Sequence, residues 1–242
     1  MTIKVGINGL GRIGRMIVRS IYENYKGKII IKHINNRSNS EICSNLLKND
    51  SIHGKFNSDI KSGQNFIKIN KDKISYTQHT KIDDIKWNKY DVEYVFECTG
   101  KFNSKDKLLP HLRNGVKKVI VSAPCNKADK TVVFGINHKN LKNNDKIISA
   151  ASCTTNCLAP VANVINDNFT ILNGFMTTIH AYTSDQRILD NSHKDPRRAR
   201  SASQSIVPTS TGASKSIGLI IPSLKNKLEG IAIRVPTPNV SL

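Results

Sequence analysis

Short apolar runs, broken by glycine-bearing or polar turns, set the rhythm of the first 150 residues. Residues 3–8 (IKVGIN) predict a strand, residues 15–25 an amphipathic helix and residues 28–35 (KIIIKHIN) a second strand. Residues 94–98 (YVFEC) and 118–122 (KVIVS) predict two more strands. Thr99-Gly100 and Ser122-Ala123-Pro124 stand at their C-terminal ends, where ligands of open α/β sheets bind. Residues 65–74 and 82–87 read as a small strand insertion, and 137–146 as a solvated loop. Further on, the small-residue loop of SAASCTTNCLAP leads into a helical pattern, and residues 174–180 (GFMTTIH) predict a strand ending in His180. No internal repeat or long linker interrupts this order.

Composition narrows the class. A length of 242 residues permits a sizeable core in one large domain or two small ones. No apolar run approaches the roughly 20 residues of a membrane span, and MTIKVGINGLG lacks the charged-then-apolar order of a secretory signal, so a cytoplasmic protein is expected. The net charge of +19 invites a polyanion partner. However, the excess is mostly dispersed Lys (27, against 10 Arg) interleaved with 26 Asn and 31 Ile. These three share adenine- and thymine-rich codons, so base composition accounts for them together. The charge is also lopsided, with 28 of the 37 basic groups in residues 1–150. Nucleic acid is therefore not the expected primary partner. Five cysteines, an odd number, point to reduced thiols. Cys153 and Cys157 lack a matching Cys/His pair nearby, and no metal site is expected.

Between the first strand and helix lies Gly9-Leu10-Gly11-Arg12-Ile13-Gly14. Strand, G-x-G-x-x-G, helix and strand within about 35 residues is the context of a dinucleotide site. Gly9 suits the tight turn, Gly11 the close approach of a pyrophosphate, and Gly14 the packing of helix on strand. The first domain is thus expected to be a Rossmann-type doubly wound α/β unit over residues 1–151, followed by an α+β domain over 152–242. The second strand ends in Asn35-Asn36-Arg37-Ser38, with Asn36 where an acid usually holds the ribose diol. An uncharged Asn36 removes repulsion against a 2′-phosphate, and Arg37 can offer it a guanidinium. This favours NADP or dual use; NAD alone, with Asn36 on the diol and Arg37 in solvent, stays open.

Cys153 follows a small-residue loop at the start of a helical pattern, where the positive end of the helix dipole favours a thiolate. A strand-end His180 is of the type that serves a thiol as general base.

ASCTTNC, TTIHAYTSDQ, HKDPRRAR, PTSTGASK and RVPTPNVS, with the opening VGINGLGRIGR and LLKNDSIHGKF, closely resemble phosphorylating glyceraldehyde-3-phosphate dehydrogenase over essentially the whole chain. The resemblance implies a glycolytic homotetramer that converts glyceraldehyde 3-phosphate, inorganic phosphate and NAD(P) to the acyl phosphate. Cys153 would be the nucleophile and His180 its base. Ser152, Thr154, Thr211 and Gly212 would cradle the attacking phosphate and the substrate, and Thr183 and Arg234 would grip the substrate's C3 phosphate. The backbone of Arg12 and Ile13 would hold the pyrophosphate, and Thr99 and Ser122 would line the nicotinamide side. Thr80 falls where many members carry an Arg near the adenine. Asn191-Ser192 replaces the Leu-Pro pair of strictly NAD-dependent bacterial members, and Ser192 would reach the adenosine of a neighbouring subunit. Arg197, Arg198 and Arg200 would lie in the loop that packs at subunit interfaces; without interleaved aromatics they do not read as an RNA platform.

Family members continue well beyond Leu242. The sequence therefore reads as C-terminally truncated, ending within a strand and leaving unpaired sheet edges and an uncovered face, with poor solubility the expected result. Two other functions are weighed. Erythrose-4-phosphate dehydrogenase shares the Cys–His pair but forms an acid; an inactive fragment would bind nucleotide or RNA through its basic surface.

Overall fold

The computed structural model describes residues 2–242. In chain order the strands are β1 (Ile3–Asn8), β2 (Ile29–Asn35), β3 (Asn49–Asp50), β4 (Gly54–Lys55), β5 (Ile60–Gly63), β6 (Phe66–Ile69), β7 (Asp72–Thr77), β8 (Tyr94–Glu97), β9 (Lys118–Val121), β10 (Lys130–Thr131), β11 (Ile147–Ser149), β12 (Gly174–Ala181), β13 (Val207–Ser210) and β14 (Leu228–Val235). The helices are α1 (Arg12–Asn24), α2 (Ser40–Lys48), α3 (Lys105–Arg113), α4 (Cys153–Phe169) and α5 (Ala213–Ile220). The chain divides into two compact units. One holds the residues up to Thr131 with Leu141–Ala150; the other holds Val132–Asn140 with Ala151–Leu242.

The first unit is a nine-stranded sheet in the order β10-β11-β9-β8-β1-β2-β7-β6-β5. All pairings from β10 to β7 are parallel; β6 and β5 join antiparallel at one edge. Runs such as IIIKHIN form central strands because both faces are covered and the apolar residues need not alternate. Val5, Ile7, Ile31, Ile34 and Ile74 make one core cluster, and Trp87, Val95, Leu108 and Val119 another. The chain order reverses across β1, whose neighbours are β2 and β8; this is the switch point at which doubly wound sheets bind ligands.

Residues 82–87 do not form the expected strand. Ile82–Asp84 and Trp87–Tyr90 are short 3-10 helices. Ile82, Ile85 and Trp87 are each buried, at intervals of three and two that suit successive tight turns better than a period of two. The other part of the expected insertion, residues 65–74, does form strands: it covers β6 and the start of β7, which pair antiparallel and continue to β5.

The second unit is a three-stranded sheet, β12-β14-β13, with β12 parallel and β13 antiparallel to β14. Ala159 and Ala162 of α4, Ile217 and Ile220 of α5, Leu224 and Val133 form its core. The expected bare sheet edge is partly filled. Leu242 and Ile179 exchange backbone hydrogen bonds at 2.9 and 2.8 Å, and Ala181 N–H donates to Val240 O at 3.0 Å, along the outer edge of β12.

Candidate active site

In the first unit the three glycines do three separate jobs. Gly9 has φ +97, a backbone that an L side chain rarely adopts. A Cβ on Gly14 would lie 2.0 Å from Gly9 O, so helix and turn can touch only without one. Gly11, the N-cap of α1, faces open space and makes no side-chain capping bond, so the helix N-terminus is left open to an anion. A cavity of about 260 Å³ runs from Gly9 and Gly11 past Asn36, Arg37 and Thr80 to Thr99. The glycine turn and the uncapped helix N-terminus on its wall suit the phosphates of a dinucleotide. Arg12 and Ile13 are exposed on the first turn of α1. Ser122, half-buried just beyond β9, donates its N–H to Glu97 O at 3.0 Å.

Asn36 turns its carboxamide inward. Its Oδ1 accepts from Leu10 N–H at 3.0 Å, and its Nδ2 donates to Cys43 Sγ at 3.1 Å. It thus pins the glycine turn, while Arg37 stays exposed at the rim, joined there by Lys81. Behind the cavity runs a buried polar chain that the sequence reading missed. Glu97, 1% exposed, accepts from Asn8 Nδ2 at 2.6 Å and from Thr99 N–H at 2.8 Å. Its carboxylate also pairs with His111 Nε2 at 3.1 Å, and Trp87 Nε1 donates to His111 Nδ1 at 2.9 Å. The available signal was an acid inside the apolar run YVFEC, since a buried carboxylate needs partners. Cys98, beside it, is a thiol pushed up to about 12 by burial.

In the second unit, Ser152 caps α4, its Oγ accepting Thr155 N–H at 3.0 Å. The preceding Ala151 has φ +60, a strained conformation for a residue with a Cβ. Cys153 is therefore the first helical residue and is exposed. Its Sγ lies 3.1 Å from His180 Nε2, and Thr154 Oγ1 is 4.0 Å from the same sulfur. His180 and Arg234 are register partners on β12 and β14. That register brings Arg234 Nη1 to 2.8 Å from His180 Nδ1 and to 3.2 Å from Ala181 O. Burial pulls the His180 imidazole below its ordinary value; the Ala181 carbonyl opposes this, and the Arg234 charge adds to it. Burial also lowers Arg234 below the usual guanidinium value, helped by neighbouring Arg198.

The other expected residues lie in the same unit. Thr183, exposed, follows β12 and accepts Gln186 N–H at 3.0 Å on its carbonyl. Thr211 Oγ1 accepts Ala213 N–H at 3.2 Å, and Gly212 is the N-cap of α5. Ser192 is exposed, its N–H bonded to Asn191 Oδ1 at 2.7 Å. Gln186, which the sequence reading did not single out, is 4% exposed with both amide atoms unpaired, and Arg234 Nε is buried and unpaired as well. The arginine cluster is neutralised locally: Arg197 pairs with Asp195, Arg198 with Asp185, and Arg200 with Asp190.

A thiol against an imidazole, with a half-buried guanidinium behind the ring, is equipped for nucleophilic attack, proton transfer and anion binding. Residues 3–105 match the family model described as glyceraldehyde 3-phosphate dehydrogenase, NAD binding domain, and residues 152–242 match glyceraldehyde 3-phosphate dehydrogenase, C-terminal domain. The glyceraldehyde-3-phosphate dehydrogenases of Cereibacter sphaeroides and Xanthobacter flavus are each 49% identical to the chain over 242 residues, covering 100% of it and 72% of the relative. Glyceraldehyde-3-phosphate dehydrogenase 2 of Bacillus subtilis (strain 168) is 46% identical over 243 residues, covering 71% of its length.

Proposed function

Since this chain belongs to the glyceraldehyde-3-phosphate dehydrogenase family, we propose that it oxidises glyceraldehyde 3-phosphate to 1,3-bisphosphoglycerate with NAD or NADP and inorganic phosphate. The observation that carries this reading is the 3.1 Å approach of Cys153 Sγ to His180 Nε2 at the start of α4. Cys153 Sγ adds to the aldehyde carbon to give a thiohemiacetal. His180 accepts its hydroxyl proton as that carbon is oxidised to a thioester, and inorganic phosphate then displaces the sulfur as an acyl phosphate. The nicotinamide, when bound, accepts the electron pair that the carbon loses. Residues 1–151 serve the cofactor in this reading, and residues 152–242 the chemistry.

Arg234, Thr183, Ser152, Thr154, Thr211 and Gly212 are assigned to the two phosphates. The buried, unpaired Arg234 Nε supports this for Arg234, because a charged donor in that setting calls for an anion. On the cofactor side, NADP or dual use is supported by the uncharged Asn36 and by Arg37 and Lys81 at the cavity rim, with Ser192 offered to a neighbouring subunit's adenosine. A homotetramer is supported by exposed apolar side chains on the second unit: Val161, Val164 and Ile165 of α4, and Phe175 and Ile179 of β12. The exposed thiols of Cys153 and Cys157 suit a reducing cytoplasm.

Reduction of the nucleotide by glyceraldehyde 3-phosphate, measured with and without inorganic phosphate, tests the reading. A rate that depends on phosphate supports it, whereas a phosphate-independent oxidation of erythrose 4-phosphate to the acid favours the related dehydrogenase.

A further inference from the structure

Both carboxylate oxygens of Glu97 are taken by N–H donors. Oε1 accepts Thr99 N–H at 2.8 Å; Oε2 accepts Asn8 Nδ2 at 2.6 Å and lies 3.1 Å from His111 Nε2. The histidine has no choice of proton. Trp87 Nε1 can only donate, and it meets His111 Nδ1 at 2.9 Å, so Nδ1 is bare and Nε2–H points at Glu97. The acid therefore stands as an acceptor-only carboxylate, and every polar neighbour must donate to it. The Thr99 hydroxyl also meets Oε1, so it too gives its proton inward. Thr99 Oγ1 then accepts Lys101 N–H at 3.2 Å and keeps one lone pair. Of the side chains that bond Glu97, Asn8 and His111 are fully buried, whereas Thr99 is half-buried and lines the cavity.

We propose that Glu97 is a positioning residue for the cofactor. By taking the Thr99 proton, it makes the Thr99 hydroxyl an acceptor for a donor group of a bound dinucleotide, a ribose hydroxyl or the carboxamide N–H.

The inference rests on the reading that this cavity holds NAD or NADP. It does not involve the 2′-phosphate, so it serves both cofactors alike, unlike Asn36 and Arg37. The carboxylate is what fixes the direction. An amide at position 97 would bring an NH2 that has to face donors on one side or the other. Toward Asn8 and His111 it would meet two N–H groups that cannot turn. Asn8 Oδ1 is held by Asn35 Nδ2 at 2.8 Å, and Asn35 Oδ1 by His79 N–H at 2.9 Å, while Trp87 holds His111. Toward Thr99 it would meet one fixed N–H and a hydroxyl that can rotate. The NH2 therefore settles on the Thr99 side, the hydroxyl accepts from it, and the Thr99 proton swings into the cavity against the ligand's own donor.

The test is a double-mutant cycle on the dissociation constants of NAD, NADP and ADP-ribose for the full chain, read by fluorescence titration. Thr99→Val keeps the shape without the hydroxyl. It is expected to raise the constant about two- to tenfold, as fits one neutral hydrogen bond, and equally for NAD and NADP. Thr99→Ser keeps the hydroxyl and is expected to bind like the wild type. Glu97→Gln is expected to weaken binding at least as much as Thr99→Val, yet to add nothing in a Thr99→Val background. A merely structural Glu97 would lower affinity equally in both backgrounds; that result overturns the proposal, as does a Thr99→Val protein that binds like the wild type. A loss shared by ADP-ribose supports a ribose hydroxyl as the partner, and a loss confined to the dinucleotides supports the carboxamide. If Glu97→Gln fails to fold, Thr99→Val against Thr99→Ser decides, and equal affinities overturn the proposal. A wild type that binds none of these ligands overturns the cofactor reading and this inference with it; binding indifferent to both substitutions overturns the inference alone.

Discussion

Cys153 and His180 lie 27 positions apart in sequence and 3.1 Å apart in space. Replacing Cys153 with Ala should abolish turnover, with cofactor affinity, read by fluorescence titration, unchanged. His180→Asn should lower kcat by about 10²–10⁴, the usual contribution of a general base. The direction of the His180 shift sets the pH profile. A base held below its ordinary value stays unprotonated to lower pH, so the acid limb of kcat/KM should lie below about 6.5, the free histidine value. The Cys–His pair was legible in the sequence because a small-residue loop and a strand end are recognisable locally. The hold of Arg234 on His180 was not, because it depends on the register that sets β12 against β14, which no local pattern encodes.

At the scale of elements, two glycines of one turn make opposite predictions. Gly14→Ala drives a Cβ into Gly9 O and should destabilise the protein by about 1–3 kcal/mol or more in denaturant unfolding. Gly11→Ala meets only open space, so stability should hold while the dissociation constant for the dinucleotide rises, because the Cβ occupies the approach of the phosphates. A fall in stability without a change in affinity for Gly11→Ala would place the cofactor elsewhere. The strands β1, β2, β8 and β9 were legible as apolar runs, and α1 as an amphipathic period following the glycines. Residues 82–87 were misread because three closely spaced apolar side chains suggested a strand, although their spacing of three and two does not alternate; the packing of Trp87 and Ile85 around Leu108 belongs to two tight turns. The Glu97–His111–Trp87 chain was hidden because its members sit on separate elements that the sheet and α3 bring together.

For the molecule as a whole, the buried His33 links stability to pH. Its ring stacks on Tyr90 at 3.8 Å and bonds Ser75 and Thr77, and burial, aided by the nearby His79, lowers its value to about 3. The folded value lies below the unfolded value of about 6.5, so the unfolded chain takes up a proton that the folded one refuses. Stability should therefore be full above about pH 6.5 and fall by about 1.4 kcal/mol per pH unit toward pH 3, a slope that His33→Gln should flatten in urea unfolding. The +19 charge, which first suggested a polyanion partner, leaves few arginines facing a site: Arg37 at the cavity and Arg234 behind His180, while Arg197, Arg198 and Arg200 are spent on aspartates. Cofactor choice is settled by comparing kcat/KM for NAD and NADP, with an advantage for NADP or near equality expected and a large advantage for NAD contradicting the reading of Asn36, Arg37 and Ser192. The covalent route is tested by formation of the reduced cofactor from glyceraldehyde 3-phosphate, measured for this chain and its Cys153→Ala variant, each with and without inorganic phosphate. Turnover that requires both phosphate and Cys153 is the expected result; turnover that survives the loss of the thiol would contradict the covalent route.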